Sequence, residues 1–310
     1  MNAAAGSDAA AMLAALDLEV FERGWLSSNG IMCRAGGEPS VLIDTGYGAH
    51  ADLTLALART ALGTSDLDVI VNTHLHSDHC GGNAILQRAW PRARTLLPAT
   101  QLELVQRWDE DVLTYRSTGQ QCERFRADTG LWPGEQIRIG RHEWQVHAAP
   151  GHDPDALMLF EPTTRVLISG DALWEKRLAI VFPALLGDAA AFEHNLAALD
   201  TIEALRPALV IPGHGRPFTD VAAALGTSRR RLEHYHRHPH DHTLHARKAL
   251  VMFHMLEHQS RDEGELLAWL RTAPVMNAGG AIGETMAREC VEGLIASGVL
   301  GRAEGRVVLA

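Results

Sequence analysis

One short stretch of the sequence, VIVNTHLHSDHCGGN (residues 69–83), concentrates side chains that can bind metal ions. It places His74, His76, Asp78 and His79 within six residues, directly after an apolar run. Imidazole nitrogens and carboxylate oxygens are the ligands that suit zinc and similar divalent metals. Four ligands spaced so closely fit poorly around one ion but can divide between two. The pattern therefore favours a dinuclear metal site over a polar loop that is merely rich in histidine.

Three further candidate ligands occur downstream, each directly after a glycine. His152 lies in AAPGHDPD, Asp171 in RVLISGDAL and His214 in ALVIPGHGRP. Glycine lets the backbone turn sharply at such points, and the ends of buried strands are stiff supports for a preorganised site. Either histidine alone is typical of a structural role. Together with the first four residues, however, these three are expected to complete one metal site.

The segments that would position these ligands alternate between strand and helix from about residue 18 to 220. Apolar, β-branched runs bounded by turn residues predict strands. These runs are LDLEVFERG, NGIMCRA, SVLIDTG, LDVIVNT, RTLLPA, GEQIRIG, HEWQVHAA, ALMLFEP, RVLISG and ALVIPG. Helices are predicted in ADLTLALARTALG, GGNAILQRAW and residues 188–205, and residues 101–125 are helical in composition, as a lid or a plain surface helix. Two strand-rich halves with outer helices predict an α/β fold, a four-layer αβ/βα sandwich.

The alternation of predicted strands and helices ends at about residue 220. Helical segments follow, one of which places Met286, Cys290 and Leu294 on a single face. The last segment, VLGRAEGRVVLA, predicts a hairpin around Glu304 and Gly305. Helices followed by a hairpin indicate a winged-helix-like extension. We therefore divide the chain into a leader (1–17), a catalytic domain (18–220) and a C-terminal domain (221–310).

The amino-acid composition limits the class of protein to which the chain can belong. Hydrophobic residues make up 46% and charged residues 21% of the chain, as in globular proteins with a full core. The Ala-rich start lacks a basic segment, so a frayed or helical leader is expected instead of a signal peptide. The four cysteines form no CxxC motif, which indicates free thiols and a cytoplasmic location. The net charge of −10 argues against a large nucleic-acid footprint, although two bound divalent metals would offset part of it.

The ordered motifs HxHxDH, GH, GD and GHG resemble those of the metallo-β-lactamase-fold hydrolase superfamily, over roughly residues 18–220. The resemblance implies that one metal is held by His74, His76 and His152, a second by Asp78, His79 and His214, and that Asp171 bridges both. It also implies that Asp44, in IDTG, is a buried structural acid. The expected cofactors are two divalent metal ions, zinc first, with iron or manganese as alternatives.

The chemistry follows from the ions. Two metals ~3.5–4 Å apart can share a hydroxide whose pKa falls from ~15.7 towards ~7, ready to attack an acyl or phosphoryl centre. Asp78 is the candidate catalytic residue, because it is both a ligand and the nearest acid or base. The antibiotic-hydrolysing members of the superfamily generally lack an aspartate at the bridging position, so Asp171 disfavours a true β-lactamase. We therefore predict hydrolysis of a small ester, thioester or lactone.

Two alternatives stay open. The C-terminal extension resembles that of the lactamase-β-like endoribonuclease, which would make the chain a phosphodiesterase acting on RNA. A mononuclear iron oxygenase of the persulfide-dioxygenase type is the other. We expect a small-molecule substrate, which would be anionic if Lys176 and Arg177 bind it. Nucleic acid is a less favoured partner, and no membrane partner is expected. The oligomeric state stays open. Trp108, Trp174 and Phe182 are candidates to line the pocket or to be core residues. The histidine-rich stretch 234–258 is interpreted as solvated surface or as a site of adventitious metal binding.

Overall fold

The computed structural model describes residues 2–113, 115, 120–277 and 280–310. Its strands are β1 Leu18–Phe21, β2 Gly30–Cys33, β3 Val41–Ile43, β4 Val69–Val71, β5 Arg94–Pro98, β6 Thr129–Leu131, β7 Gln136–Ile139, β8 His142–Ala148, β9 Leu157–Glu161, β10 Val166–Gly170, β11 Leu209–Pro212, β12 Ser260–Asp262, β13 Leu300–Ala303 and β14 Arg306–Leu309. Its helices are α1 Asn2–Ala15, α2 Ala51–Leu62, α3 Ser77–Cys80, α4 Asn83–Ala89, α5 Leu102–Arg107, α6 Phe182–Leu185, α7 Ala191–Leu205, α8 Val221–Arg237, α9 Pro239–His258, α10 Glu263–Thr272, α11 Pro274–Asn277 and α12 Glu284–Ala296.

Two mixed sheets form the centre of the fold. The first has the strand order β1-β2-β3-β4-β5-β6 and the second the order β11-β10-β9-β8-β7. In the first sheet the strands from β3 to β6 are parallel neighbours. In the second sheet only β10 and β11 are parallel, and the other pairs are antiparallel. The carboxyl ends of β4, β10 and β11 can therefore carry loops that meet at one edge.

The alternation of side chains along each strand produces the four predicted layers. In β2, Ile31 and Cys33 join the core between the two sheets, whereas Met32 packs on the opposite face against helices α2 and α4. In β9, Leu159 joins the same inter-sheet core, whereas Phe160 packs towards α7 and α8. Successive strand residues point to opposite faces, so strands that are apolar throughout are covered on both sides. The α/β sandwich is confirmed.

The region between β5 and β6 differs from the prediction. Leu102–Arg107 forms an α-helix, and residues 120–128 are irregular instead of helical. Residues 114 and 116–119 lie outside the described residues, so the predicted lid falls partly there. The short strands β6 and β12 were not predicted, because their sequences, TGL and SRD, lack the apolar, β-branched run that marks β3 and β4.

The C-terminal region follows the predicted order of elements. A three-stranded sheet, ordered β12-β14-β13, packs with α9, α10 and α12 around one apolar cluster. Glu304 and Gly305 form the hairpin turn with φ values of 51° and 75°, the left-handed conformation that two-residue hairpin loops require. The winged-helix assignment and the domain boundaries stay predictions. The leader is helical as α1, and Met12 and Leu13 pack against the inter-sheet core.

No helix among the described residues combines the length and apolarity that crossing a bilayer needs.

Helix α9 is tied to the sandwich by a buried histidine. The backbone N–H of Val181 donates to Nε2 of His242 at 3.2 Å. The ring packs edge-on against Phe192 and lies beside Tyr235. Burial, followed by the nearby His245, lowers the pKa of His242 to about 4. The folded protein therefore holds this ring neutral, as an acceptor, under conditions in which the unfolded chain protonates it.

We expect the free energy of unfolding to decrease as the pH falls from about 6.5 towards 4, because only the unfolded state gains the His242 proton in that window. Linkage puts the loss at about 2 kcal/mol at pH 5. His242→Gln keeps an acceptor that does not titrate, so urea unfolding at about pH 7.5 and pH 5 should show a smaller difference than in the wild type. His240→Gln changes an exposed ring and is the control. An undiminished pH dependence in His242→Gln would contradict the assignment.

Candidate metal centre

The structure brings all seven predicted ligands to one edge of the sandwich. After β4, the chain carries His74 and His76 on a loop and Asp78 and His79 in the short helix α3. The other three side chains follow β8, β10 and β11. Within the described residues, three groups of ligand atoms lie within 4.8 Å of one another: His74, His76 and His152; His74, His79 and Asp171; and Asp78, His79 and His214.

The first group consists of three imidazole rings that face one point. Nε2 of His74 lies 3.1 Å from Nδ1 of His76, which lies 2.7 Å from Nε2 of His152. Burial, reinforced by His79 and His76, holds the pKa of His74 well below its usual value. Burial and the adjacent His152 lower the pKa of His76 to about 3. These rings are therefore neutral, which is the form of histidine that binds metals.

The group of Asp78, His79 and His214 combines two imidazoles with one carboxylate. Nε2 of His214 lies 3.1 Å from Oδ2 of Asp78. Asp171 lies between the two groups, with Oδ1 3.3 Å from Nε2 of His79 and Oδ2 3.3 Å from Nε2 of His152. One carboxylate thus faces ligands of both groups, which is the position that a bridging residue would need.

Hydrogen bonds on the far side of the rings fix their orientation. Nδ1 of His79 donates to Oδ2 of Asp44 at 2.7 Å. Nδ1 of His152 donates to the backbone carbonyl of Ile180 at 2.6 Å, and Nδ1 of His74 lies 3.1 Å from the Thr73 hydroxyl. Such partners set the tautomer and direct the other ring nitrogen towards a metal. Asp44 is 1% exposed, so its prediction as a buried acid is confirmed.

Glycine is required next to two of the ligands. A Cβ on Gly213 would lie 2.2 Å from Oδ1 of Asp171 and 2.8 Å from Cε1 of His79. Gly170 has a φ of 49°, and a Cβ there would lie 2.9 Å from the Thr73 hydroxyl oxygen. The glycines before Asp171 and His214 therefore do more than allow a turn. They let the backbone run close to the ligands and to Thr73, where any side chain would clash.

The donors fit a bound cation. Nε2 of His79 is buried and has no hydrogen-bond partner among the described residues, although it faces Asp78 and Asp171. Burial by itself lowers the pKa of His79, but the carboxylates of Asp171, Asp44 and Asp78 outweigh it and hold the pKa well above the usual value. The same negative field favours a metal cation at this point, and a metal would satisfy the unpaired nitrogen.

An apolar cleft opens onto the ligands, and one of its walls comes from the C-terminal region. Trp174 and Phe182 line it, as predicted, together with Trp25. The opposite wall is formed by helix α9 through Leu250 and Phe253. Sequence reasoning missed this wall, because the i, i+4, i+8 spacing of His245, Ala249 and Phe253 indicates a shared helix face but not what that face covers. The cleft has an empty volume of about 570 Å³, which includes the open solvent at its mouth.

Other predicted residues lie outside the cleft or depart from their predicted role. Trp108 packs against Tyr115 and Phe125 in a separate cluster, so of its two predicted roles it has the core role and does not line the cleft. Lys176 and Arg177 line an exposed recess beside the cleft, where the Arg177 guanidinium lies 5.2 Å from the centre of the Trp25 ring. The stretch 234–258 is not uniformly solvated, since His242 is buried and His254 stacks on Trp269.

Comparison with known proteins places these features in a family. The family model described as the metallo-beta-lactamase superfamily matches residues 23–214. Among curated proteins, the mitochondrial persulfide dioxygenase ETHE1 of Mus musculus is 33% identical over 103 residues, which cover 33% of this chain and 32% of that protein. The acyl-coenzyme A thioesterase MBLAC2 of Bos taurus is 28% identical over 161 residues, covering 46% of this chain and 57% of that protein. The chain thus spans between a third and somewhat over half the length of these relatives.

Solved structures of metallo-beta-lactamase-fold proteins are similar to this chain. The metallo-beta-lactamase family protein TTHA1429 from Thermus thermophilus superposes with a TM-score of 0.57 at 21% identity, covering 95% of this chain and 99% of that one. TTHA1623 in a di-iron-bound form superposes with a TM-score of 0.54 at 27% identity, covering 68% and 98%. The family model alone covers more than half of the sequence. The chain therefore belongs to the metallo-beta-lactamase superfamily.

Proposed function

We propose that this protein is a metal-dependent hydrolase that binds two divalent metal ions and cleaves a small ester, thioester or lactone. The position of Asp171 is the main support, because its two oxygens face His79 of one ligand group and His152 of the other. A chain that bound one ion would not need this bridge between two groups. Zinc is the metal that we propose first, on its preference for imidazole and carboxylate ligands; the di-iron form of TTHA1623 makes iron the main competitor.

We assign the ligands to the two ions as the family resemblance implies. One ion would be held by His74, His76 and His152, the other by Asp78, His79 and His214, with Asp171 between them. When bound, two such ions supply an activated water and polarise the carbonyl oxygen of the substrate.

Asp78 is the side chain best placed to move a proton. Burial by itself raises its pKa, but the charge of His79 and a hydrogen bond from His214 reverse this and leave the pKa below its usual value. Asp78 therefore stays ionised and can accept a proton from the attacking water, then return it to the leaving group. It lines the cleft, so substrate reaches it directly.

The cleft favours an acyl group over a highly charged one. Trp25, Phe182, Leu250 and Phe253 present apolar surface next to the ligands. These walls exclude water from the acyl portion and orient the carbonyl towards the ligand edge. The relative MBLAC2 is named as an acyl-coenzyme A thioesterase, which makes a thioester the first substrate to test.

Metal analysis combined with an activity panel tests the proposal. The panel contains p-nitrophenyl esters, acyl thioesters, lactones and bis-p-nitrophenyl phosphate. We expect about two metals per chain together with ester or thioester turnover, and loss of that turnover in Asp78→Ala. The matched control is Asp52→Ala, which removes an exposed carboxylate on α2. Turnover of the phosphodiester alone would contradict the proposal.

A mononuclear iron dioxygenase is the second candidate, favoured by the 33% identity to the persulfide dioxygenase. The matching segment covers only a third of either chain, and the ligand group of Asp78, His79 and His214 is complete. One iron per chain with oxygen consumption, and no ester turnover, would replace the hydrolase by this candidate.

A further inference from the structure

A second concave surface lies beside the cleft, between helices α8 and α9. One face of α8 contributes Arg231 and Tyr235, which are four residues apart, and one face of α9 contributes His245 and Lys248, which are three apart. Residues at these spacings lie on the same side of a helix. The two helices thus form a groove lined by aromatic rings, by the cations of Arg230, Arg231 and Lys248, and by one carboxylate, that of Asp241.

The cations of this groove have no carboxylate partner within the part of the chain that the structure describes. There, Arg231, Lys248 and the neighbouring Arg177 form no ion pair within 4.0 Å. By contrast, the guanidinium of Arg229, also on α8, lies 2.6 Å from Asp200 and 2.8 Å from Glu203. Carboxylates of α7 therefore neutralise Arg229, whereas Arg231 in the groove stays available to bind an anion.

His245 joins the groove to the metal cleft, because its ring lines both. It stacks on Tyr235, with ring centres 5.6 Å apart and an angle of 23° between the rings. Burial lowers the pKa of His245, and the charges of Arg231, Arg177 and Lys248 lower it further. Positive charge therefore surrounds this ring, so an anion in the groove would lie next to the entrance of the cleft.

We propose that this groove binds the phosphate groups of a carrier whose acyl thioester lies at the metal centre. Arginine presents paired donors that match phosphate oxygens, and lysine adds a point charge. A molecule that fills both sites passes His245, with its acyl chain against Leu250 and Phe253 and its phosphates between Arg231 and Lys248. This assignment rests on the proposed hydrolase function.

The reaction on such a substrate is a hydrolysis. The oxygen of water forms a bond to the acyl carbon, and the carbon–sulfur bond breaks. One proton of the water ends on the departing sulfur, so the products are a carboxylic acid and the free thiol of the carrier.

A small phosphorylated carrier fits this surface better than a nucleic acid. The chain as a whole carries a net charge of −10. Asp241 also lines the groove, where it pairs with His234 at 2.9 Å, so a carboxylate lies among the cations. That carboxylate would repel a continuous phosphate backbone laid along the groove.

A pair of matched thioesters tests the groove. Acetyl-coenzyme A and acetyl-pantetheine carry the same thioester, but only the first has phosphates. In the double variant Arg231→Gln/Lys248→Gln we expect kcat/KM for acetyl-coenzyme A to fall by about 10- to 100-fold, mainly through KM. Turnover of acetyl-pantetheine should stay unchanged. The control Arg229→Gln/Arg237→Gln removes two charges from the same helix outside the groove and should spare both substrates. Equal losses on both thioesters, or none, would overturn the proposal.

Direct binding separates the groove from the reaction. Calorimetric titration of the metal-loaded protein with adenosine diphosphate should show binding that is lost in Arg231→Gln/Lys248→Gln and kept in the control. Such binding without any ester or thioester turnover would contradict the hydrolase function and support the phosphate site. Thioester turnover without groove-dependent binding would support the hydrolase function and contradict the phosphate site. Single-stranded RNA that binds with a steep salt dependence, while the diphosphate does not, would replace the small carrier by a nucleic acid.

Discussion

Replacement of Asp171 with asparagine should lower the hydrolytic kcat by about 100-fold or more, since loss of a mere supporting contact to a metal ligand already costs about 10- to 100-fold. The variant keeps the shape of the side chain but removes the charge that faces His79 and His152. It also places an amide N–H against one of these rings. Metal content by mass spectrometry and turnover of a p-nitrophenyl ester are the measurements, and we expect fewer than two metals per chain.

The same substitution at Asp52, which is exposed on α2, controls for the loss of one charge. Chemical denaturation of Asp171→Asn verifies that the fold is retained. A variant that still bound two metals and kept its turnover would show that Asp171 does not bridge the two ligand groups.

Replacement of Asp44 with asparagine should lower both the stability and the metal affinity. The carboxylate accepts from the backbone N–H of Thr73 at 2.9 Å, from the Thr73 hydroxyl at 2.8 Å and from Nδ1 of His79 at 2.7 Å. Asparagine turns one acceptor into a donor, so a buried donor is left unpaired. We expect the free energy of unfolding to drop by about 3 kcal/mol and the metal affinity to drop by about 10- to 100-fold.

Urea unfolding and competition with a chromophoric chelator measure the two effects. Asp68→Asn is the matched control, because Asp68 accepts from the backbone N–H and the hydroxyl of Ser40 but lies away from the metal centre. It should affect stability alone. If Asp44→Asn behaves in the same way, Asp44 supports the fold and does not tune His79.

The sandwich and the ligand edge were predictable because local sequence determines them. A strand such as residues 41–43, apolar at every position, must be covered on both faces, and this dictates a layered fold. A polar residue directly after such a strand lies at the edge of the sheet. For this reason His152, Asp171 and His214 could be placed together although they are far apart in sequence.

The wall of the cleft was not predictable, because a helical pattern shows which face is apolar but not what will cover it. Leu250 and Phe253 read as ordinary core positions, yet both line the cleft. The same holds for Arg231, which has the same sequence context as Arg229 and differs only in which neighbouring helix it faces. Contacts between elements distant in the sequence decide such roles.

The placement of α9 across the cleft has a consequence for how relatives of this protein can diverge. The ligands depend on strand ends and on glycines such as Gly213 that tolerate no side chain, so this part of the chain is constrained. The inward face of α9 belongs to a separate stretch of sequence and contributes none of the seven ligands. Mutations there can reshape the substrate range while the metal chemistry is inherited unchanged, which lets one scaffold acquire new specificities without passing through an inactive ancestor.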